Sequence, residues 1–206
     1  MSEFFDKSYY ENGPQTGKSL YQNYRWIPEL TIPLAHHIAI YAKLDPSYKI
    51  LDFGCAKGYL VHALRLLGYD AWGVDISEYA ISKAPKEVSD YVRHIKPYSD
   101  NFNDFDVILC KDILEHIPYD MIDKQLSILR QRTDTVWAII PLGADGKYII
   151  PAYELDKSHY IRESKEWWED KFMDHGFTVE ATTNLGPFKA QWQEVNTEGN
   201  VLITAY

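Results

Sequence analysis

The first residues with a chemical look to them lie in Asp52-Phe53-Gly54-Cys55-Ala56-Lys57-Gly58. Small residues at alternate positions let a backbone bend sharply and come close to a ligand. A dinucleotide loop places its last small residue at the sixth position; counting from Gly54 that position is Tyr59, so the dinucleotide fingerprint fails. The carboxylate of Asp52, just ahead of Gly54, would also be a poor neighbour for a pyrophosphate. A second carboxylate, Asp75, closes the run Trp72-Gly73-Val74-Asp75. Its two oxygens can accept two hydroxyl groups at once; the plainer role is a cap at the helix start near Ser77.

A third group lies in Lys111-Asp112-Ile113-Leu114-Glu115-His116, with a later partner in Asp156-Lys157-Ser158-His159. The carboxylates of Asp112 and Glu115 and the imidazoles of His116 and His159 form a donor set suited to Mg²⁺, Mn²⁺ or Zn²⁺. Such an ion would acidify a bound hydroxyl. Without a metal, His159 or His116 serves as a general base. A purely structural role, as pocket wall, is the third option. His36 and His37 are adjacent on a helical pattern and point roughly 100° apart, so they make poor joint ligands and read as structural. Cys55 and Cys110 sit in apolar surroundings and read as reduced structural thiols.

These groups need a scaffold that brings them to one place. Residues 49–53 and 106–110 read as buried strands, 71–75 as a short strand and 91–95 as a weaker one. Tyr59 to Leu67 reads as a helix stopped by Gly68, and Ser77 caps another that Pro85 ends. A helix follows over about 121–131, then an apolar strand over 136–140. Strands alternating with helices imply a parallel sheet covered on both faces, an α/β architecture. In such sheets the ligand crevice lies beyond the carboxyl ends of the strands, where Asp52, Asp75 and Lys111 fall. The rhythm breaks over 142–163, which reads as an irregular insertion. A helix over 164–175 and two strands, 177–183 and 201–206, close the chain; the link between them is too short for a crossover helix, so they pair antiparallel at the sheet edge.

The loop at Asp52–Gly58, with Ala56 in place of the middle glycine, resembles the first motif of the class I S-adenosylmethionine-dependent methyltransferases. The likeness spans roughly residues 20–206 and points to the broad type 11/23 group. It implies a Rossmann-like, seven-stranded, mostly parallel sheet with one antiparallel edge strand. It also implies that Asp52, Gly54, Cys55, Ala56 and Gly58 cradle S-adenosylmethionine, with Asp52 toward the amino group. Asp75 would accept the ribose hydroxyls, Ile76 would lie on the adenine, and Lys111 and Arg25 would meet the methionine part. The acidic-x-x-Glu-His pattern is similar to one in ubiquinone-pathway O-methyltransferases and small-RNA 2′-O-methyltransferases, where it binds a divalent metal. The adenine contact after the third strand, somewhere in His94–Asp100, is not assignable from sequence.

Composition narrows the partner. With 21 basic and 30 acidic residues the formal charge is −9, and no basic tract is present, which speaks against nucleic acid. No run reaches the roughly 18 apolar residues of a membrane span, and the opening stretch lacks a secretory apolar core, so a cytoplasmic location is expected. Of the 16 Tyr and 6 Trp, most fall before residue 27 or after 147. Tyr9, Tyr10, Tyr21, Tyr24 and Trp26 suit a lid over the cofactor. Trp167, Trp168 and Phe172 share a helix stripe that reads as core, while Phe188 and Trp192 suit a substrate cap or a dimer contact. The chain is expected to be one domain, monomeric or homodimeric. It would comprise a helical lid (1–45), a cofactor core (46–141), a substrate-side insertion (142–163) and a closing unit (164–206). The acceptor would be a small molecule, sugar or peptide, methylated at oxygen. Aminopropyl transfer on the same fold, or a non-catalytic cofactor-binding subunit, are the alternatives.

Overall fold

The computed structural model describes residues 2–185, 188 and 198–206. Seven strands form the central sheet: β1 (Lys49–Phe53), β2 (Asp70–Asp75), β3 (Val92–His94), β4 (Val107–Lys111), β5 (Val136–Pro141), β8 (Val179–Thr182) and β9 (Asn200–Ala205). Their order is β3-β2-β1-β4-β5-β9-β8. All pairs from β3 to β5 are parallel, while β9 runs antiparallel to both β5 and β8. The closing pair is therefore antiparallel at the sheet edge, and the reversed strand sits one place in from the rim.

Strand side chains alternate between two cores, as period-two geometry requires. Leu51, Ile108, Cys110, Ala138, Ile140 and Ile203 enter one core together with Leu126 and Leu129 of α6 (Ile122–Arg132) and Trp168 and Phe172 of α7 (Lys165–Asp174). Ile50, Val107, Leu109, Trp137, Ile139 and Leu202 enter the other, under α3 (Pro28–Tyr41) and α4 (Tyr59–Leu66). The sheet interior is thus apolar on both faces, and its polar residues are confined to strand ends.

Helix boundaries follow local signals. Ser77 and Ser164 each accept a backbone N–H at the start of α5 (Glu78–Ser82) and α7. Gly68 and Gly176 have positive φ just past the ends of α4 and α7. Before α3 the chain forms two short helices, α1 (Lys7–Glu11) and α2 (Gly13–Thr16). The insertion is more ordered than its sequence pattern implies. It contains a hairpin of β6 (Gly143–Ala144) and β7 (Lys147–Tyr148), then a 3₁₀ turn over Pro151–Leu155. Phe188 corrects another expectation: it is buried and packs edge-on to Tyr41 and Trp137, so it belongs to the core under α3. Trp192 lies outside the described residues. Among the described residues no helix is long and apolar enough to cross a membrane.

Candidate active site

The carboxyl ends of β1, β2 and β4 open onto a cleft with two chambers that meet at the glycine loop. Tyr21, Gly54, Ala56 and Asp112 belong to the walls of both. One chamber is largely apolar, with Ile76, Ile95, Pro97, Tyr98, Ile113 and Ile117 around Asp75. The other carries charge, with Arg25, Asp52 and Lys111 alongside Cys55 and Tyr24. A ligand spanning both would need a flat apolar end with hydroxyls and a zwitterionic end.

The loop's backbone explains its residue types. Gly54 has φ 83°, and a Cβ there would lie 2.6 Å from the Ile113 side chain. Gly58 has φ 75°, and its Cβ would lie 2.8 Å from Val92. Ala56 also adopts a left-handed φ of 50°, which an L side chain resists. That bend aims the Ala56 N–H at Asp75 Oδ2, 2.7 Å away, while Oδ1 accepts from the Ser77 N–H at 2.7 Å. Each oxygen keeps acceptor capacity for a ligand hydroxyl. Burial raises the Asp75 pKa, opposed by those two backbone donors. Asp52 is buried too, and desolvation pushes its pKa up to about 7 despite Lys111 nearby. A buried carboxyl held so high gains from any cation placed beside it.

Lys57, the unremarked residue of the loop, is a latch. Its ammonium is buried and donates to Glu11 Oε1 and to the Tyr24 carbonyl, both at 2.6 Å. The Tyr79 hydroxyl donates to the same Glu11 oxygen, and Ser77 Oγ donates to the Phe5 carbonyl. The N-terminal segment is therefore tied to the glycine loop and to the start of α5 at several points. Phe5, Tyr9, Tyr10 and Tyr21 from that segment line the apolar chamber, and Tyr24 lines the charged one.

The acidic and histidine cluster is assembled by the insertion. Backbone N–H groups of Tyr160 and Ile161 donate to the Glu115 carbonyl at 2.8 and 3.2 Å. Ser158 Oγ donates to Asp156 Oδ1, so toward His116 it acts as acceptor from Nδ1–H, at 2.8 Å. The Tyr9 hydroxyl donates to the other oxygen of Asp156 at 2.7 Å. His159 Nδ1 lies 2.8 Å from the Tyr153 carbonyl, which can only accept. By this network both imidazoles carry the proton on Nδ1 and present a lone pair at Nε2. Their rings meet edge to face, 4.5 Å apart. Burial lowers the His116 pKa to about 4, helped by His159, and burial also lowers that of His159.

Glu115, His116 and His159 have ligand atoms within 4.8 Å of one another. Asp112 stands outside that group; it has φ 53° and pairs with Lys111. His116 lines the apolar chamber beside Asp112, whereas His159 stands behind it and is absent from the chamber walls. Sequence reading missed Lys57, Tyr9 as a partner of Asp156, and Ser158. A lysine inside a glycine loop was the one visible signal; the other contacts join residues far apart in the chain. His36 and His37 lie on α3 and belong to neither chamber wall.

Sequence comparison places this chain in a family. Residues 25–183 match a family model described as a methyltransferase domain, of type 23. The chain belongs to that family, the class I S-adenosylmethionine-dependent methyltransferases. A ubiquinone biosynthesis O-methyltransferase from Methylococcus capsulatus is 33% identical over 78 residues, covering 34% of this chain and 33% of the relative. This chain therefore aligns with about a third of the length of that curated relative. The magnesium protoporphyrin IX methyltransferase of Synechocystis, solved with S-adenosylhomocysteine, superposes with TM-score 0.65 at 15% identity, covering 99% of this chain and 97% of that one. The Haemonchus contortus phosphoethanolamine N-methyltransferase 2 gives TM-score 0.68 at 15% identity, with 99% and 59% covered. At such identities the superpositions speak for the fold alone.

Proposed function

We propose that this chain methylates an oxygen of a small or medium-sized acceptor, such as a sugar, natural product or peptide, with His116 as the base. The observation that carries the reading is the two-chambered cleft, with Asp75 in the apolar half and Arg25, Asp52 and Lys111 in the charged half. When bound, S-adenosylmethionine supplies a sulfonium-activated methyl group for in-line displacement. Asp75 accepts the ribose hydroxyls, Ile76 packs on the adenine, and Gly54 and Gly58 let the loop approach. Asp52 faces the ammonium and Arg25 the carboxylate. The N-terminal tyrosines exclude water.

His116, which lines the chamber and keeps its lone pair on Nε2, takes the acceptor's proton as the oxygen–carbon bond forms and the methyl–sulfur bond breaks, the sulfonium leaving as a neutral thioether. A base with a pKa near 4 is weak toward a free hydroxyl. It becomes competent as the oxygen acidifies during attack on the methyl carbon, so proton and methyl transfer are concerted. The weak O-methyltransferase likeness supports oxygen over nitrogen.

The donor set of Glu115, His116 and His159 also fits a divalent ion. Two Nε2 lone pairs and a carboxylate suit Zn²⁺ or Mn²⁺ better than Mg²⁺. Such an ion would supply Lewis acidity to the acceptor hydroxyl. Titration calorimetry with S-adenosylmethionine and its demethylated product tests the cofactor assignment, and radiolabel transfer to candidate acceptors tests the activity. No uptake of either nucleoside would sink the reading. Activity that survives exhaustive chelation leaves His116 as the base without a metal; activity restored by Zn²⁺ or Mn²⁺ assigns the cluster to the ion.

A further inference from the structure

One polar side chain in the apolar chamber has no part in the scheme above. Gln125 lies on the first turn of α6, on the face whose other members are Ile122, Leu126 and Leu129, all buried in the apolar core. It is 2% exposed, and its Nε2 has no hydrogen-bond partner among the described residues. It is also part of the wall of the chamber that holds Asp75, Ile76, Ile113 and Ile117. A buried amide nitrogen without a partner is costly, and natural interiors rarely keep one. Leucine or methionine would serve α6 better if packing were the only demand. The amide is therefore retained for something that enters the chamber.

The chemistry of that guest follows from the amide. A glutamine side chain offers a donor and an acceptor side by side. Adenine offers the complement, an exocyclic amino donor next to a ring-nitrogen acceptor, the pairing used when Gln reads adenine in nucleic acids. Of the other side chains around this end of the chamber, Ile95, Pro97, Ile113 and Ile117 supply apolar faces, and the Tyr98 hydroxyl is a single group rather than a donor and acceptor side by side. Asp75 is committed at the ribose in our reading. We infer that Gln125 reads the adenine edge of the cofactor: Oε1 accepts from the 6-amino group and Nε2 donates to the adjacent ring nitrogen. Gln125 is then the residue that makes the apolar chamber selective for adenine among flat bases. The inference rests on the proposed cofactor orientation.

The test compares S-adenosylhomocysteine with its analogue lacking the 6-amino group, by titration calorimetry on wild-type protein and Gln125→Leu. Wild-type protein is expected to bind the analogue roughly ten- to hundredfold more weakly. Gln125→Leu is expected to bind S-adenosylhomocysteine more weakly by a similar factor and to lose most of the discrimination. The ligand-free variant is expected to unfold at the same or a higher temperature, because an unsatisfied amide has been removed from an apolar face. Gln125→Met provides a second variant with a side chain of similar length. Unchanged S-adenosylhomocysteine affinity in both variants, or undiminished discrimination, overturns the inference and leaves the cofactor assignment standing. Absence of binding to the wild-type protein removes both.

Discussion

The two halves of the cleft are built by different means. In the proposed reading, the cofactor half is made mostly of strand ends and backbone. Asp52 and Asp75 lie at the carboxyl ends of neighbouring strands, the Ala56 N–H of the turn between Gly54 and Gly58 holds Asp75, and this central part lies within one run of the chain, with Arg25 and Lys111 joining it from outside. The proposed acceptor half is made of side chains from distant places. Tyr9 from the N-terminal segment, His116 after β4 and Asp156 and Ser158 from the insertion form one hydrogen-bonded web, and His159, bonded to the Tyr153 carbonyl, meets His116 ring to ring. A design of the first kind suits a ligand common to a whole family. The second can be rewired by changing a loop, which is how one fold serves many acceptors.

If the halves are separable, a lesion in one must leave the other intact. The largest effect is expected from Asp75→Ala. It removes a charged acceptor for two hydroxyls, and affinity for S-adenosylhomocysteine should fall roughly a hundredfold or more. The ring-nitrogen NMR signals of His116 should not move. A variant that binds within about threefold of wild type would break the cofactor half of the comparison.

The reciprocal lesion is Ser158→Ala. It removes the acceptor that holds the His116 proton on Nδ1. Turnover is expected to fall about tenfold or more, with cofactor affinity unchanged and the His116 nitrogen signals shifted toward the other tautomer. Ser158→Thr should restore both. An equal loss of cofactor affinity would show that the halves are one mechanical unit, joined through Tyr9 and the lid.

The same contrast explains what could be read from residues alone. The position of the glycine loop was legible because strand, turn and helix signals are local: Asp52, Gly54, Gly58 and Asp75 stand at the strand ends and the turn where periodicity and glycine placement put them. The closing antiparallel pair was legible because the link between its strands could not hold a crossover helix. The web was not legible, since nothing near Ser158 in sequence announces His116, and the Tyr9 to Asp156 contact spans 147 positions. Phe188 misled because loop aromatics in an irregular stretch look available for ligands; packing against Trp137 decided otherwise. Asp112 matched a metal pattern in spacing, yet its left-handed backbone and its bond to Lys111 take it out of the donor group.

A third probe addresses the charged chamber. The Asp52 carboxyl titrates at about 7 in the folded protein, against 3.8 for a free one. Its folded value is raised, so it favours the ligand-free fold at low pH, and that advantage fades as pH rises from about 4 to 7. A bound ammonium reverses the preference by stabilising the carboxylate. Between pH 5 and 7, binding should therefore release a proton, and affinity should climb several-fold before levelling off above 7. Calorimetry in two buffers of different ionisation enthalpy counts that proton. Asp52→Asn should flatten the climb; a climb that persists in full would assign the proton to Asp75, whose pKa burial also raises.

The smallest expected effect tests whether the cofactor half stores strain in its backbone. Ala56 occupies a left-handed conformation at φ 50°, at a cost of about 1–2 kcal/mol for an L residue. Glycine there would relieve the strain but would lose more chain entropy on folding, about 0.5–1 kcal/mol. The balance for Ala56→Gly is a gain of up to about 1.5 kcal/mol, read by chemical denaturation. Ala63 lies on α4 and is buried; the same substitution there should lose at least about 1 kcal/mol. Opposite signs at the two sites would show that the alanine in the loop is held against its own preference by the hydrogen bond from its N–H to Asp75. Cofactor affinity should be nearly unchanged in Ala56→Gly, because that bond is made by the backbone and survives the substitution. A loss at position 56 as large as at 63 would mean that the methyl group packs usefully against the lid, and the cofactor half would then depend on side chains as much as its neighbour does.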